Sequence, residues 1–88
     1  MKIKDGYILR SVAGSNIVVA VGEESRKFNK LIKLNNSAAF IFKQLEEDVT
    51  EDEIVEKMLS EYDVAEETAR EDARALIATL REAGLIVR

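Results

Sequence analysis

The stretch Leu31-Ile-Lys-Leu-Asn-Asn-Ser-Ala-Ala-Phe-Ile-Phe42 contains the change of period that decides the fold. Residues 31–34 alternate as a short strand, with Leu31 and Lys33 pointing one way and Ile32 and Leu34 the other. Apolar residues on both faces predict a strand packed on one side and partly covered on the other. Beyond Leu34 the period becomes helical. Ala38, Ile41, Phe42 and Leu45 recur at i, i+3, i+4 and i+7, a core-facing stripe. Asn35 or Asn36 supplies the capping oxygen. Phe40 falls off the centre of the stripe, placed to meet the sheet or a neighbour. The residues before this junction read as strand and those after it as helix. The outer edge of the short strand is thereby left in question, and function is expected there.

Upstream, residues 2–6 read as a frayed lead-in. Residues 7–13 are rich in β-formers, Gly14-Ser15 has turn chemistry, and residues 16–21 form a second β-rich run. The pair predicts a hairpin with a short glycine-containing connection. A polar loop, residues 22–27, leads through Phe28-Asn29-Lys30 to the third strand.

Downstream, Thr50-Glu-Asp-Glu53 is a capping box, in which hydroxyl and carboxylate reciprocally satisfy backbone N–H groups. The helix it opens turns Ile54, Val55, Met58, Leu59 and Tyr62 inward. Asp63-Val-Ala-Glu66 has the same logic, with Asp as the cap. The last helix, residues 65–83, gathers Ala69, Ala73, Leu76, Ile77 and Leu80 on one face. Gly84 stands where a left-handed C-terminal residue is wanted. Leu85-Ile-Val87 is an apolar tail suited to a strand fragment or a clip over the core. Three short strands followed by three helices predict an α+β fold, with the helices on one side of a small antiparallel sheet. The last two helices have a helix-turn-helix arrangement, so the whole reads as winged helix-turn-helix-like.

At 88 residues, 47% of them hydrophobic, the chain is expected to be one domain, 1–88. It has neither cysteine nor histidine. That removes disulfides, thiolate nucleophiles, the usual neutral-pH base and the commonest metal ligands. No apolar run is long enough to cross a bilayer, so a cytoplasmic protein without membrane contact is expected. Charge is divided: residues 1–44 carry eight Lys/Arg and three Asp/Glu, and residues 45–88 carry five and fourteen. Most of these acids are explained as solvated helix faces.

No catalytic constellation emerges. The serines have no histidine to activate them, and an enzyme acting alone would rest on carboxylates and lysines only. The acids around residues 46–53 lack the spacing and turn glycine of a calcium loop, and no glycine motif cradles phosphate. No cofactor or metal is expected. The last helix holds a more suggestive pattern. On a helical wheel at about 100° per residue, Arg70, Arg74 and Arg81 line up beyond Ile77 on one flank. The other flank carries Thr68, Asp72, Ala75 and Thr79. The arginines either pair with local acids such as Glu66, Glu67 or Glu71 or form a basic rim on a groove beside the sheet, suited to a carboxylate-bearing peptide. Ala69 and Ala73 either leave room for a ligand side chain or let the helix pack closely.

Several strings together resemble the PqqD-like family, the prototype of the recognition elements for ribosomally made, post-translationally modified peptides. They are Asp5-Gly-Tyr-Ile-Leu-Arg10, Ile17-Val-Val, Lys33-Leu-Asn35 with Ser37-Ala-Ala-Phe40, and Leu80-Arg-Glu-Ala-Gly-Leu85. The resemblance spans nearly the whole chain. It implies a winged helix-turn-helix-like fold of three strands and three helices, without catalysis. It further implies binding of a precursor's leader segment and its presentation to a modifying enzyme, often a radical S-adenosylmethionine enzyme, as in pyrroloquinoline quinone biosynthesis. The leader is expected to add as a strand to the third strand, in a groove walled by the third helix. Carried over, this places the peptide along Phe28, Lys30, Leu31, Ile32, Lys33 and Leu34, against Ala69, Arg70, Ala73, Arg74 and Ile77. Backbone hydrogen bonds would supply part of the affinity and side-chain pockets the selection. Lys30 and Lys33 would protect the open edge and attract an acidic leader.

Two other readings remain: a winged-helix nucleic-acid binder, and a structural module that dimerises through the same edge. The acids Glu51, Asp52, Glu53, Glu56 and Glu61 would repel phosphate. The chain should therefore give no salt-dependent mobility shift with duplex DNA at near-physiological ionic strength, and such a shift would revive the nucleic-acid reading.

Overall fold

The computed structural model describes residues 1–27 and 31–87. The elements are β1 (Lys2–Ile3), β2 (Tyr7–Val12), β3 (Ser15–Ala20), a 3-10 turn at Gly22–Arg26, β4 (Ile32–Leu34), α1 (Asn36–Gln44), α2 (Glu51–Glu61), α3 (Glu66–Glu82) and β5 (Ile86–Val87). The α+β class holds, as does a three-stranded antiparallel sheet followed by three helices; β1 and β5 are added from the two ends of the chain. β2, β3 and β4 form an antiparallel sheet in that order, with Tyr7 opposite Ala20, Val12 opposite Ser15, and Ile32 opposite Val18.

The hairpin turn is one residue earlier than its glycine suggested. Ala13 and Gly14 are the two loop residues, both left-handed at φ 51° and 80°. Two positive φ values suit the right-handed twist of the flanking strands. Glycine takes this conformation freely, and Ala13 does so at a cost.

Residues 2–6 are not frayed. β1 pairs antiparallel with β5, Lys2 opposite Val87 and Ile3 opposite Ile86. Ile3 N–H donates to the Leu45 carbonyl and Lys4 N–H to that of Leu85, each at 2.7 Å. The tail is thus a strand fragment that joins both ends of the chain to the helices. Gly6 has φ 101°, and a Cβ there would lie 2.6 Å from the Glu24 side chain. That proximity lets Glu24 accept a hydrogen bond from the buried Tyr7 hydroxyl at 2.9 Å and pair with Lys4 at 3.3 Å. Burial, then the Glu24 carboxylate, raises the Tyr7 pKa, and the Tyr7 hydrogen bond lowers that of Glu24.

The helix signals resolve individually. Asn35, not Asn36, caps α1, accepting from Ala38 N–H at 2.8 Å. The Thr50 and Glu53 box is complete, at 3.1 and 2.9 Å. The second box does not form. α3 begins at Glu66 with Ala65 as its N-cap and no capping side chain, which leaves Asp63 too early to reach the first turn. At the other end Gly84 (φ 80°) donates to the Arg81 carbonyl and Leu85 to that of Leu80, the paired bonds of a Schellman motif. Leu80 and Leu85 are both fully buried.

One core joins the sheet to the helices. Val18, Ile41, Phe42, Leu45, Ile54, Val55, Met58, Leu80 and Leu85 are its most buried large side chains. Ala69 and Ala73 are fully buried as well, so their small size serves close packing. Leu59 and Tyr62, expected inside, are each 38% exposed at the end of α2. Tyr62 instead meets Phe40 edge to face, with ring centroids 5.2 Å apart.

Replacing Ala13 with Asn should relieve about 1 kcal/mol of left-handed strain and raise the midpoint of thermal unfolding by roughly 4–8 °C. An unchanged or lower midpoint would show that the turn carries no such strain.

Candidate functional site

The backbone of β4 determines what the sheet offers beyond itself. In an antiparallel pair, opposite residues alternate between exchanging hydrogen bonds and not doing so. Val21 N–H donates to the Gly6 carbonyl at 2.7 Å, which sets the phase of the β2–β3 ladder. Ile17, opposite Arg10, therefore turns its backbone groups to β2. Asn16 and Val18 turn theirs to β4, where they face Leu34 and Ile32. Lys33, opposite Ile17, is left with its N–H and carbonyl directed away from β3. No further strand covers that edge among the described residues.

The side chains share the same alternation. Leu34 is buried and Ile32 half-buried on the helix side, and Lys33 is exposed on the outer side. Leu31, just before the strand, is 74% exposed. The start of α1 is tied to the sheet by Asn16, whose side-chain amide donates to the Leu34 carbonyl at 3.3 Å and to Asn36 at 3.1 Å.

Between β4 and α3 runs a groove of about 280 Å³. Ile32, Lys33 and Leu34 form one side, and Asp72, Ala75, Leu76 and Thr79 form the other. Asn35, with Ser37, Ala38 and Ile41 of α1, completes the lining. An unpaired strand edge beside a partly apolar cleft can take an extended peptide by strand addition.

The arginines lie elsewhere. Arg70 bonds Glu51 at 2.6 Å and Asp52 at 2.9 Å, with Glu66 at 3.5 Å. Arg74 Nε donates to both Glu51 oxygens at 3.1 Å. These pairs join α3 to the first turn of α2, where acids already suit the helix dipole. Arg74, then Arg70, lowers the Glu51 pKa, and Glu51, then Asp52, raises that of Arg70. The local pairing read from sequence occurs only with Glu66, and the stronger bonds reach across to α2.

Of the residues singled out in the sequence, Ile32, Lys33 and Leu34 meet at the groove, with Leu31 beside them in sequence. Phe28 and Lys30 lie outside the described residues. Ala69 and Ala73 are sealed in the core, Ile77 is buried, and Arg70 and Arg74 face α2; none of these five lines the groove. The wall of α3 is instead its Asp72, Ala75 and Thr79 flank. Each flank borders the same apolar stripe, so only the packing of α2 decides which one faces the sheet. Among the described residues no group of three or more acids is gathered to hold a metal ion, and no helix is long and apolar enough to cross a membrane.

The family described as Coenzyme PQQ synthesis protein D (PqqD) matches residues 9–86. No curated protein sequence matches the chain. Among solved structures, one described as TbiB1 in complex with the TbiA(beta) leader peptide has a TM-score of 0.75 at 24% identity, covering 97% of this chain and 93% of its own. Another, lasso peptide synthetase B1 complexed with the leader peptide, has a TM-score of 0.75 at 21% identity, covering 99% and 96%. At these identities the likeness is one of fold.

The pH response originates at Glu51. Its folded pKa lies below its unfolded value, so the ion-pair contribution is complete above the unfolded carboxyl range and is lost as pH falls through the folded value. Below about pH 4.3 the wild-type midpoint of thermal unfolding should fall more steeply than that of Glu51→Gln. Parallel profiles would mean that the two arginines contribute nothing to stability through Glu51.

Proposed function

The chain belongs to the PqqD family, and on that premise we propose that it holds the leader segment of a ribosomally made precursor peptide as an added strand on β4. It acts as a non-catalytic adaptor that presents the remainder of the precursor to a modifying enzyme, with a radical S-adenosylmethionine enzyme as the partner the family favours. The observation that carries this reading is the N–H and carbonyl of Lys33, directed away from β3 and unpaired among the described residues, beside the groove that α3 borders. The two structural neighbours, each described as a complex with a leader peptide, support it. The bound segment lies along Leu31, Ile32, Lys33 and Leu34, with Ala75, Leu76, Thr79 and Asp72 as its helical wall. Ala69, Arg70, Ala73, Arg74 and Ile77 hold that wall in place from behind. The whole chain, 1–88, works as one such domain.

A peptide suits the edge better than a second copy of the chain does. A two-fold antiparallel pairing centred on Lys33 sets two lysines opposite each other, and like charges in that position are destabilising. A peptide with an acid or a neutral residue there avoids this cost.

The test is Lys33→Pro. Proline removes the N–H that points away from β3, fixes φ and replaces the lysine side chain, and an edge strand tolerates a proline at such a position. The variant should keep its fold by circular dichroism. It should lose at least tenfold in affinity for leader peptides encoded beside its gene, since a lost hydrogen bond and the proline ring both oppose pairing. Undiminished binding by a folded variant would place the peptide elsewhere.

A further inference from the structure

We propose that Asp72 is a specificity-determining residue of the groove, selecting peptides that turn a lysine or arginine side chain toward α3. The inference rests on strand addition at β4 and adds the charge of the segment that is accepted.

The register defines which peptide side chains reach α3. A residue exchanging backbone hydrogen bonds with Lys33 places its own side chain on the outer face, beside that of Lys33. Its two neighbours point the other way, into the groove. From Asp72 to Thr79 the helix rises about 10 Å, and three residues of strand span about the same length. The wall therefore serves two groove-facing side chains, at i and i+2. Its middle is Ala75 and Leu76, and Asp72 and Thr79 stand at its ends.

Asp72 and Lys33 are the charged residues of this lining. Lys33 projects from the outer face, so Asp72 sets the charge of the helix wall. Its carboxylate makes no ion pair and no side-chain hydrogen bond among the described residues. The arginines nearest in sequence, Arg70 and Arg74, lie on the opposite flank and are bound to Glu51 and Asp52. Among the described residues an incoming cation thus meets an anion without a competing partner, and an incoming acid at the same place meets repulsion. The preference is opposite to the one a basic rim of Arg70 and Arg74 would impose.

The experiment selects random short peptides displayed on phage against the immobilised full chain, in parallel against Asp72→Lys and Asp72→Asn. Peptides retained by the wild type should share Lys or Arg at one position, two residues from an apolar side chain. Those retained by Asp72→Lys should carry Asp or Glu there. A synthetic wild-type-selected peptide should bind about threefold more weakly to Asp72→Asn and about tenfold more weakly to Asp72→Lys. Asp72 is exposed, so both variants should fold, and the Asn variant alone decides the question if the Lys variant does not. The same consensus from all three chains, or equal affinity for a peptide that shifts the Lys33 amide, would overturn the role of Asp72. Peptides that bind Lys33→Pro as tightly as wild type would overturn the β4 site and this inference with it.

Discussion

The one-sided pairing of β4 is the constraint on which the rest depends. This strand has three residues and, among the described residues, one partner strand. Ile32 and Leu34 spend their backbone groups on β3, and Lys33 has none of its own bonded there. The phase is set far away, at the Ala13-Gly14 turn. A two-residue loop makes Val12 and Ser15 a hydrogen-bonded pair, and alternation carries that choice through Arg10 and Ile17 to Lys33. One residue more or less in the turn would offer different backbone groups at the edge and reverse the side chains beside them.

The helical half keeps a wall at the right distance from that edge. α3 is anchored on its far flank by Arg70 and Arg74 to the start of α2, and at its end by Gly84 and the buried Leu80 and Leu85. Those contacts leave the Asp72, Ala75 and Thr79 flank exposed toward β4. The arginines that drew attention in the sequence are bound across to Glu51 and Asp52 of α2. The groove wall on α3 is made of small and polar residues with a single carboxylate, Asp72.

Features with local causes were legible in the sequence. The strand alternation at 31–34, the apolar stripe of α1, the Thr50 and Glu53 box and the Gly84 terminus each depend on a few neighbouring residues. Together they sufficed for the α+β class and the element order. Features that depend on distant packing were not legible. β1 and β5 are two residues each and pair from opposite ends of the chain. Asp63 matched a capping pattern, but α3 starts where Ala65 becomes the cap. The helical wheel correctly separated two flanks of α3 but held no information on which one faces the sheet. Charge drew attention to the arginines, whereas Asp72, Ala75 and Thr79 carry no motif.

The central claim is that Lys33 offers its backbone outward and a leader peptide takes it. Amide hydrogen exchange, resolved residue by residue in the free chain and in a saturated complex with its leader peptide, tests this most directly. The account predicts a Lys33 amide that exchanges much faster than those of Ile32 and Leu34 in the free chain and becomes protected in the complex. A Lys33 amide as protected as its neighbours before any peptide is added, or one still unprotected at saturation, would contradict it.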